Sequence, residues 1–197
     1  KHESALETFE KLLSSRPSSP DRSSATLRKG ELLYRLKRLD DAAPVLQTLT
    51  PKETPPDIRA GALYYLGKLA YDKSNFDAAL NDFKAIVEEI PESRLVSFAR
   101  YQLALVYLAK KDGENAAVQF SAVTDSDADP KLKVECGYRA AEAYDSIGWY
   151  EAAETRYKQV QDQFSDSPYA ERAAYGYAWA QYHAGKIDES LKSAKAY

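Results

Sequence analysis

The sequence repeats itself every 37 residues, and that period constrains the fold more than any other property of the chain. Steps of 37 from Gly67 reach Gly30, Ala104, Ala141 and Ala178, all small. From Ala79 they reach Ala5, Ala42, Ala116, Ala153 and Ser190, and from Ala62 they reach Ala25, Ala99, Cys136 and Ala173. Two further columns are large and apolar. One runs Phe9, Leu46, Phe83, Phe120, Tyr157 and ends on Ala194; the other runs Leu12, Leu49, Ile86, Val123, Val160, Tyr197. No insertion interrupts any of them. A fixed period of this order marks a supersecondary unit that buries its apolar face by stacking on its neighbours.

The unit is a helical hairpin. Ala62, Leu63, Leu66, Gly67 and Ala70 fall on one stripe of a first helix, and Ala79, Phe83 and Ile86 on one stripe of a second. Small residues recur where two helices cross closely, and large ones where each fills its neighbour's groove. Ser19-Pro20, Asp129-Pro130 and Ser167-Pro168 each place a capping residue before a first-turn proline. Pro44 falls in the first turn of a helix starting near Asp40, where its missing N–H costs little. Alternating, β-branched strand runs are nearly absent, so the fold class is all-α.

Composition bounds the function. An apolar fraction of 44% and a charged fraction of 29% are those of a folded chain. A net charge of -3 offers no basic footprint for nucleic acid. The longest apolar runs span about one helical turn, against the ~20 residues needed to cross a bilayer. A single cysteine, Cys136, excludes an internal disulfide framework. The chain begins without methionine and in mid-pattern, so it reads as a piece of a longer protein and missing targeting signals are uninformative.

The spacing of Gly67, Ala79, Phe83, Ile86 and Pro91 resembles the tetratricopeptide repeat, over essentially the whole chain. The period exceeds that family's usual length of about 34 residues. The bulky aromatic expected early in the first helix is replaced by Leu63, Arg100, Gly137 and Ala174. The resemblance implies a right-handed superhelical solenoid of antiparallel hairpins. Its expected partition is a lone second helix in 1–19, repeats at 20–56, 57–93, 94–130 and 131–167, and an incomplete repeat at 168–197. The turns at 90–93 (IPES), 164–168 (FSDSP) and 16–20 (RPSSP) resemble the bacterial cell-envelope branch of the family. That branch includes periplasmic TolA-binding coordinators and the outer-membrane assembly lipoprotein, which implies a periplasmic or outer-membrane-associated setting. Neither end carries a clear polar cap, so both ends are expected to present apolar surface, and any end-to-end self-association through them would be an artefact of truncation.

In that family one side of the first helices lines a concave groove. Carried over, its columns are Leu27, Tyr64, Tyr101, Tyr138, Tyr175; then Glu31, Lys68, Leu105, Glu142, Trp179; then Tyr34, Tyr71, Leu108, Asp145, Tyr182. Phe98, Tyr101, Leu105 and Leu108 form one continuous apolar stripe, while Ala99, Leu103, Ala104, Val106 and Tyr107 supply the core on the other side of the same helix. The expected partner-binding residues are therefore Tyr64, Lys68, Tyr71, Phe98, Tyr101, Leu105, Leu108, Tyr138, Glu142, Tyr175, Trp179 and Tyr182. Tyrosines at a repeat period have two readings, packing between hairpins or groove contact. Glu135, Glu142 and Asp145 read first as a solvated acidic face and, alternatively, as a feature favouring a partner that carries lysine or arginine.

No catalytic, metal or cofactor site is expected. His2 and His183 stand at opposite ends of the repeat array and cannot pair with Cys136 as a nucleophile and its base. Cys136 sits in a column of alanines and reads as a small buried hydrophobe. Lys111-Asp112-Gly113 is a hairpin connection rather than a phosphate loop. The lysine, arginine and asparagine clamp by which some family members hold a terminal carboxylate is missing from the groove columns. The leading expectation is a non-enzymatic scaffold that receives a protein or peptide segment. The alternatives are a polysaccharide-binding export scaffold, stacking sugars on tyrosines and Trp179, or a passive spacer arm.

Overall fold

The computed structural model describes residues 2–15 and 20–196. Among the described residues there are eleven helices and no strand: α1 (His2–Ser15), α2 (Arg22–Arg35), α3 (Leu39–Gln47), α4 (Pro56–Asp72), α5 (Phe76–Glu89), α6 (Val96–Ala109), α7 (Gly113–Thr124), α8 (Pro130–Ser146), α9 (Tyr150–Gln163), α10 (Ala170–His183) and α11 (Ile187–Ala196). They fall into two compact units, residues 1–102 and 103–197, that divide within α6.

One turn makes every hairpin. Lys37, Ser74, Lys111, Gly148 and Gly185, spaced at the repeat period, all have φ between 58° and 82°. At each site the following N–H reaches back five residues, from Arg38 to Leu33, Asn75 to Ala70, Asp112 to Tyr107, Trp149 to Tyr144 and Lys186 to Gln181, at 2.8–2.9 Å. This left-handed closure satisfies carbonyls that a helix end leaves open. The same residue then opens the second helix. Asn75 and Asp112 do so with a side-chain cap, their Oδ1 atoms accepting from the Ala78 and Asn115 N–H groups.

The connections between hairpins alternate. Pro56 and Pro130, two periods apart, each stand at the start of a 17-residue helix, preceded by an extended residue at φ -50°, ψ 134° and φ -52°, ψ 134°. Asp129 caps the second of these by accepting from the Lys131 N–H. In the other two connections the chain first makes a turn, with Ser93 N–H donating to Ile90 O and Ser167 N–H to Phe164 O. There the first helix is shorter, 14 residues in both α6 and α10. Pro168 therefore precedes α10 rather than opening it, because the turn through Ser167 delays the helix to Ala170. Of the Ser19-Pro20 pair, Ser19 lies outside the described residues and α2 is entered from Asp21. Pro44 also differs from expectation. The left-handed Lys37 starts α3 at Leu39, which puts Pro44 past the first turn, where it forfeits one helical bond.

Each unit has its own core. In the N-terminal unit Leu6, Leu33, Leu46, Leu49, Ala62, Leu66 and Leu69 pack together. In the C-terminal unit Val134, Tyr138, Ala141, Tyr157, Val160, Ala173 and Ala180 do so. The small columns mark real close approaches. A Cβ added at Gly30 would stand 2.4 Å from Leu46 Cδ2, and one at Gly67 would stand 2.8 Å from the Phe83 ring. Both large residues belong to the second helix of the same hairpin, so the small and large columns are two halves of one contact. Cys136 is fully buried in its alanine column.

Candidate partner-binding surface

The residues expected to form one binding surface divide by what stands opposite each in its own hairpin. Tyr64 is half-buried, its ring edge-on to Phe83 at 6.0 Å and to Tyr65 at 5.7 Å. Burial pushes its hydroxyl pKa up. Tyr138 is buried outright, between Tyr157 at 5.9 Å and Tyr169 at 5.3 Å, with the Arg172 guanidinium 4.6 Å above its ring. Tyr64 packs within its hairpin, and Tyr138 packs both on its hairpin and on Tyr169 and Arg172 of the next, so Tyr138, expected at a contact surface, lies in the core of the C-terminal unit. Tyr34 is buried too, its hydroxyl donating to Asp72 Oδ2 at 2.7 Å.

Tyr175 occupies the same column and behaves differently. It is 63% exposed. Its opposite number in the hairpin is Ala194, in the column that holds Phe83 and Tyr157 in earlier repeats. With no ring to pack on, Tyr175 stacks along its own helix on Trp179, at 6.3 Å and 15° between planes. Trp179 in turn lies 6.2 Å from Tyr182 and 4.6 Å from His183. The result is a row of exposed rings along α10. Beneath it opens an apolar recess of about 380 Å³, lined by Ala174, Tyr175, Ala178, Trp179, Tyr182, Ser190 and Ala194. Leu191 and Ile187 on α11 are exposed nearby in the same hairpin. Sequence reasoning passed over the α11 side of this recess, although its signal was present as the small residue ending an otherwise large column.

The remaining expected residues are partly accessible. Lys68 sets its ammonium 5.2 Å from the Tyr34 ring and 5.7 Å from the Tyr64 ring, so it is held by aromatic faces. Tyr71 is half-buried, edge-on to Phe76 at 5.6 Å. On α6, Phe98 and Leu108 are exposed while Tyr101 and Leu105 are half-buried. Ala99, Leu103, Ala104, Val106 and Tyr107 on the same helix are buried. Glu142 is exposed and faces Arg172 at 3.7 Å. Asp145 has a buried Oδ1 without a hydrogen bond, and burial raises its pKa against the opposing pull of His183.

Among the described residues no cluster of three or more histidine, cysteine, aspartate or glutamate side chains could hold a metal ion, and no helix is long and apolar enough to cross a membrane. The family model for the tetratricopeptide repeat matches residues 1–58, 64–131 and 138–197. The chain belongs to the tetratricopeptide repeat family. The two-period spacing of the last two matches is that of the alternating connections in this tetratricopeptide protein. No curated protein sequence matches it. Its fold is similar to that of BtubC from P. vanneervenii, at a TM-score of 0.70 and 12% identity over 99% of this chain and 90% of that one. A tetratricopeptide repeat protein from Parabacteroides merdae aligns at a TM-score of 0.66 and 18% identity, over 99% of this chain and 72% of that one. YrrB, described as a tetratricopeptide protein with an unusual peptide-binding site, aligns at 0.70 and 14%, over 95% and 89%. At these identities the likeness is one of fold: an all-helical repeat of the tetratricopeptide type.

Proposed function

We propose that this tetratricopeptide protein is a non-catalytic scaffold that holds a protein segment on the exposed faces of its first helices, with α10 as the principal contact. The observation that carries this reading is the contrast within one column. Tyr64 and Tyr138 pack against Phe83 and Tyr157, whereas Tyr175 stands exposed with Trp179 and Tyr182 over an apolar recess. Large aromatic side chains with few rotatable bonds contribute disproportionately to binding, and α10 exposes three of them, Tyr175, Trp179 and Tyr182, on one helix. Phe98 in the N-terminal unit and Leu108 in the C-terminal unit are exposed apolar residues of α6 and further, separate contacts in the same reading. The turn sequences resembling the envelope branch support a place in a bacterial cell-envelope assembly.

The test is affinity capture from envelope extract with the parent chain beside a Tyr175→Ser, Trp179→Ser variant of unchanged helicity. A partner held by the parent and lost by the variant is the expected result. Equal capture by both would remove α10 from the binding surface. A polysaccharide is the second reading, favoured by the near-parallel Tyr175 and Trp179 rings, which match the flat face of a sugar. It requires glycan-dependent change in Trp179 fluorescence.

A further inference from the structure

We infer that the junction of α1, α2 and α3 holds a small organic anion, its carboxylate or phosphate group on Arg22, Lys29, Ser23 and Thr26 and its apolar body on Leu13, Val45 and Leu49. The site is separate from the α10 surface and does not depend on what that surface binds. The repeat supplies its own comparison. Ser23, Thr26 and Lys29 belong to columns that read Ala60, Leu63 and Leu66 in α4, and Val134, Gly137 and Ala140 in α8. Those six residues are buried. At Gly137 the junction of α7, α8 and α9 is closed: an added Cβ would stand 3.0 Å from Val160 Cγ2 and 3.3 Å from Thr124 Cγ2. The equivalents of Gly137, Val160 and Thr124 in the first junction are Thr26, Leu49 and Leu13, and they line a cavity of about 440 Å³ instead. This is not the side on which successive first helices meet. That side is marked by the column of Gly61, where an added Cβ would stand 2.6 Å from Leu27 Cδ2. The α2 residue of that column, Ser24, does not line the cavity.

The cavity offers donors to an anion. Arg22 donates to the Leu13 carbonyl at 3.1 Å. Its equivalent, Arg59, donates to the equivalent carbonyl of Thr50 at 2.9 Å and also to Glu89 at 2.9 Å. Lys52 occupies the position of Glu89 one repeat earlier, so Arg22 has no carboxylate partner among the described residues. Lys29 pairs with Glu10 at 3.0 Å, which leaves one carboxylate against two cations. The Ser23 and Thr26 hydroxyls have no hydrogen-bond partner among the described residues, whereas Thr8 and Thr155 turn theirs onto the carbonyl four residues back. Guanidinium, ammonium and hydroxyl donors together suit carboxylate or phosphate oxygens. The apolar wall argues for more than an inorganic ion, which would leave most of the volume unfilled. The volume falls within the range of about 300–1,000 Å³ typical of small-molecule sites.

The test titrates the isotope-labelled chain with octanoate, with octyl phosphate, and with octylamine as a cation of matched size, reading backbone amide shifts by NMR. One or both anions are expected to shift amides in 22–29 and 45–49 saturably, and octylamine to leave them in place. Thr26→Leu, Lys29→Leu installs the residues found at 63 and 66 and should abolish the shifts. Arg22→Gln, which changes an exposed side chain and leaves the cavity open, should weaken binding about tenfold. Anions and amine acting alike on these amides would overturn the inference. So would shifts that survive Thr26→Leu, Lys29→Leu, or no shift with either anion. A glutamate-rich peptide that moves these amides where the small anions do not would assign the cavity to a protein carboxylate and overturn the small-molecule reading. Tyr175→Ser, Trp179→Ser should leave the shifts unchanged, so failure here and failure of the α10 surface are read separately.

Discussion

The ring of Tyr157 occupies the space that a side chain at position 176 would need: a Cβ there would lie 2.5 Å from the ring's Cζ and 2.6 Å from Cε1. Gly176 sits inside α10, where glycine costs a helix about 1 kcal/mol relative to alanine. The close approach explains its presence, because the larger loss would come from displacing a buried ring. Gly176→Ala is therefore expected to lower stability by about 1–3 kcal/mol despite its better helix propensity. Tyr157→Val beside it should recover part of that loss, so a double-mutant cycle in urea would show coupling. Additive losses would mean that the ring yields at little cost.

The hairpin turns predict stabilising changes. Lys37, Ser74 and Lys111 hold the left-handed conformation that Gly148 and Gly185 adopt freely at the same repeat position. A Cβ disfavours this region by roughly 1 kcal/mol or more. Lys37→Gly, Ser74→Gly and Lys111→Gly should each raise the urea midpoint, by about 1 kcal/mol in free energy, while Gly148→Ala should lower it by a similar amount. Lys111→Gly should show the effect without disturbing the adjacent cap, in which Asp112 Oδ1 accepts from the Asn115 N–H at 3.1 Å.

Most of the fold can be read from the columns. Gly67 opposite Phe83 and Gly30 opposite Leu46 are small and large because they are the two sides of one helix crossing. A column states an average, however, and the binding surface depends on exceptions. Tyr64, Tyr138 and Tyr175 are equivalent in sequence, yet Tyr64 and Tyr138 pack on the aromatic residues at positions 83 and 157, Tyr138 also on Tyr169 and Arg172 of the next hairpin, while Tyr175 stands opposite Ala194 and is exposed. That outcome requires reading two columns jointly, across the hairpin. The alternating connections escaped notice for a related reason. Pro56 and Pro130 recur at twice the repeat period, a spacing that a single-period comparison averages away.

Cys136 should be chemically silent while the protein is folded. It is fully buried, and burial pushes its thiol pKa up to about 12. The reactive thiolate is then a minute fraction at neutral pH. Labelling with a disulfide reagent at pH 8 is expected to proceed only through opening of the fold, slow in buffer and immediate in denaturant. Rapid labelling of the native protein would show that α8 separates readily from its neighbours. Because the same column holds alanine in other repeats, Cys136→Ala should cost less than about 1 kcal/mol.

Asp82 makes the protein's stability depend on pH in a direction opposite to that of a paired carboxylate. It is half-buried on α5, and burial raises its pKa from 3.8 to about 6. Between those values the folded state holds a proton that the unfolded state releases, so stability falls as pH rises through this window. Below about pH 4 the group is protonated in both states and contributes nothing. Above about pH 6.5 it is ionised in both, and the folded state carries the full cost of burying the charge. Asp82→Asn removes that cost. After allowance for partial exposure, the variant should be more stable than the parent by about 1–2 kcal/mol at pH 7.5 and equal to it at pH 3.5. Carboxylates such as Asp125, whose pKa is lowered by its pairing with Arg156, give the opposite slope at acid pH. They are common to both proteins and cancel in the difference. A constant offset between parent and variant across the whole range would mean that the substitution acts through packing and that Asp82 titrates as an ordinary surface acid.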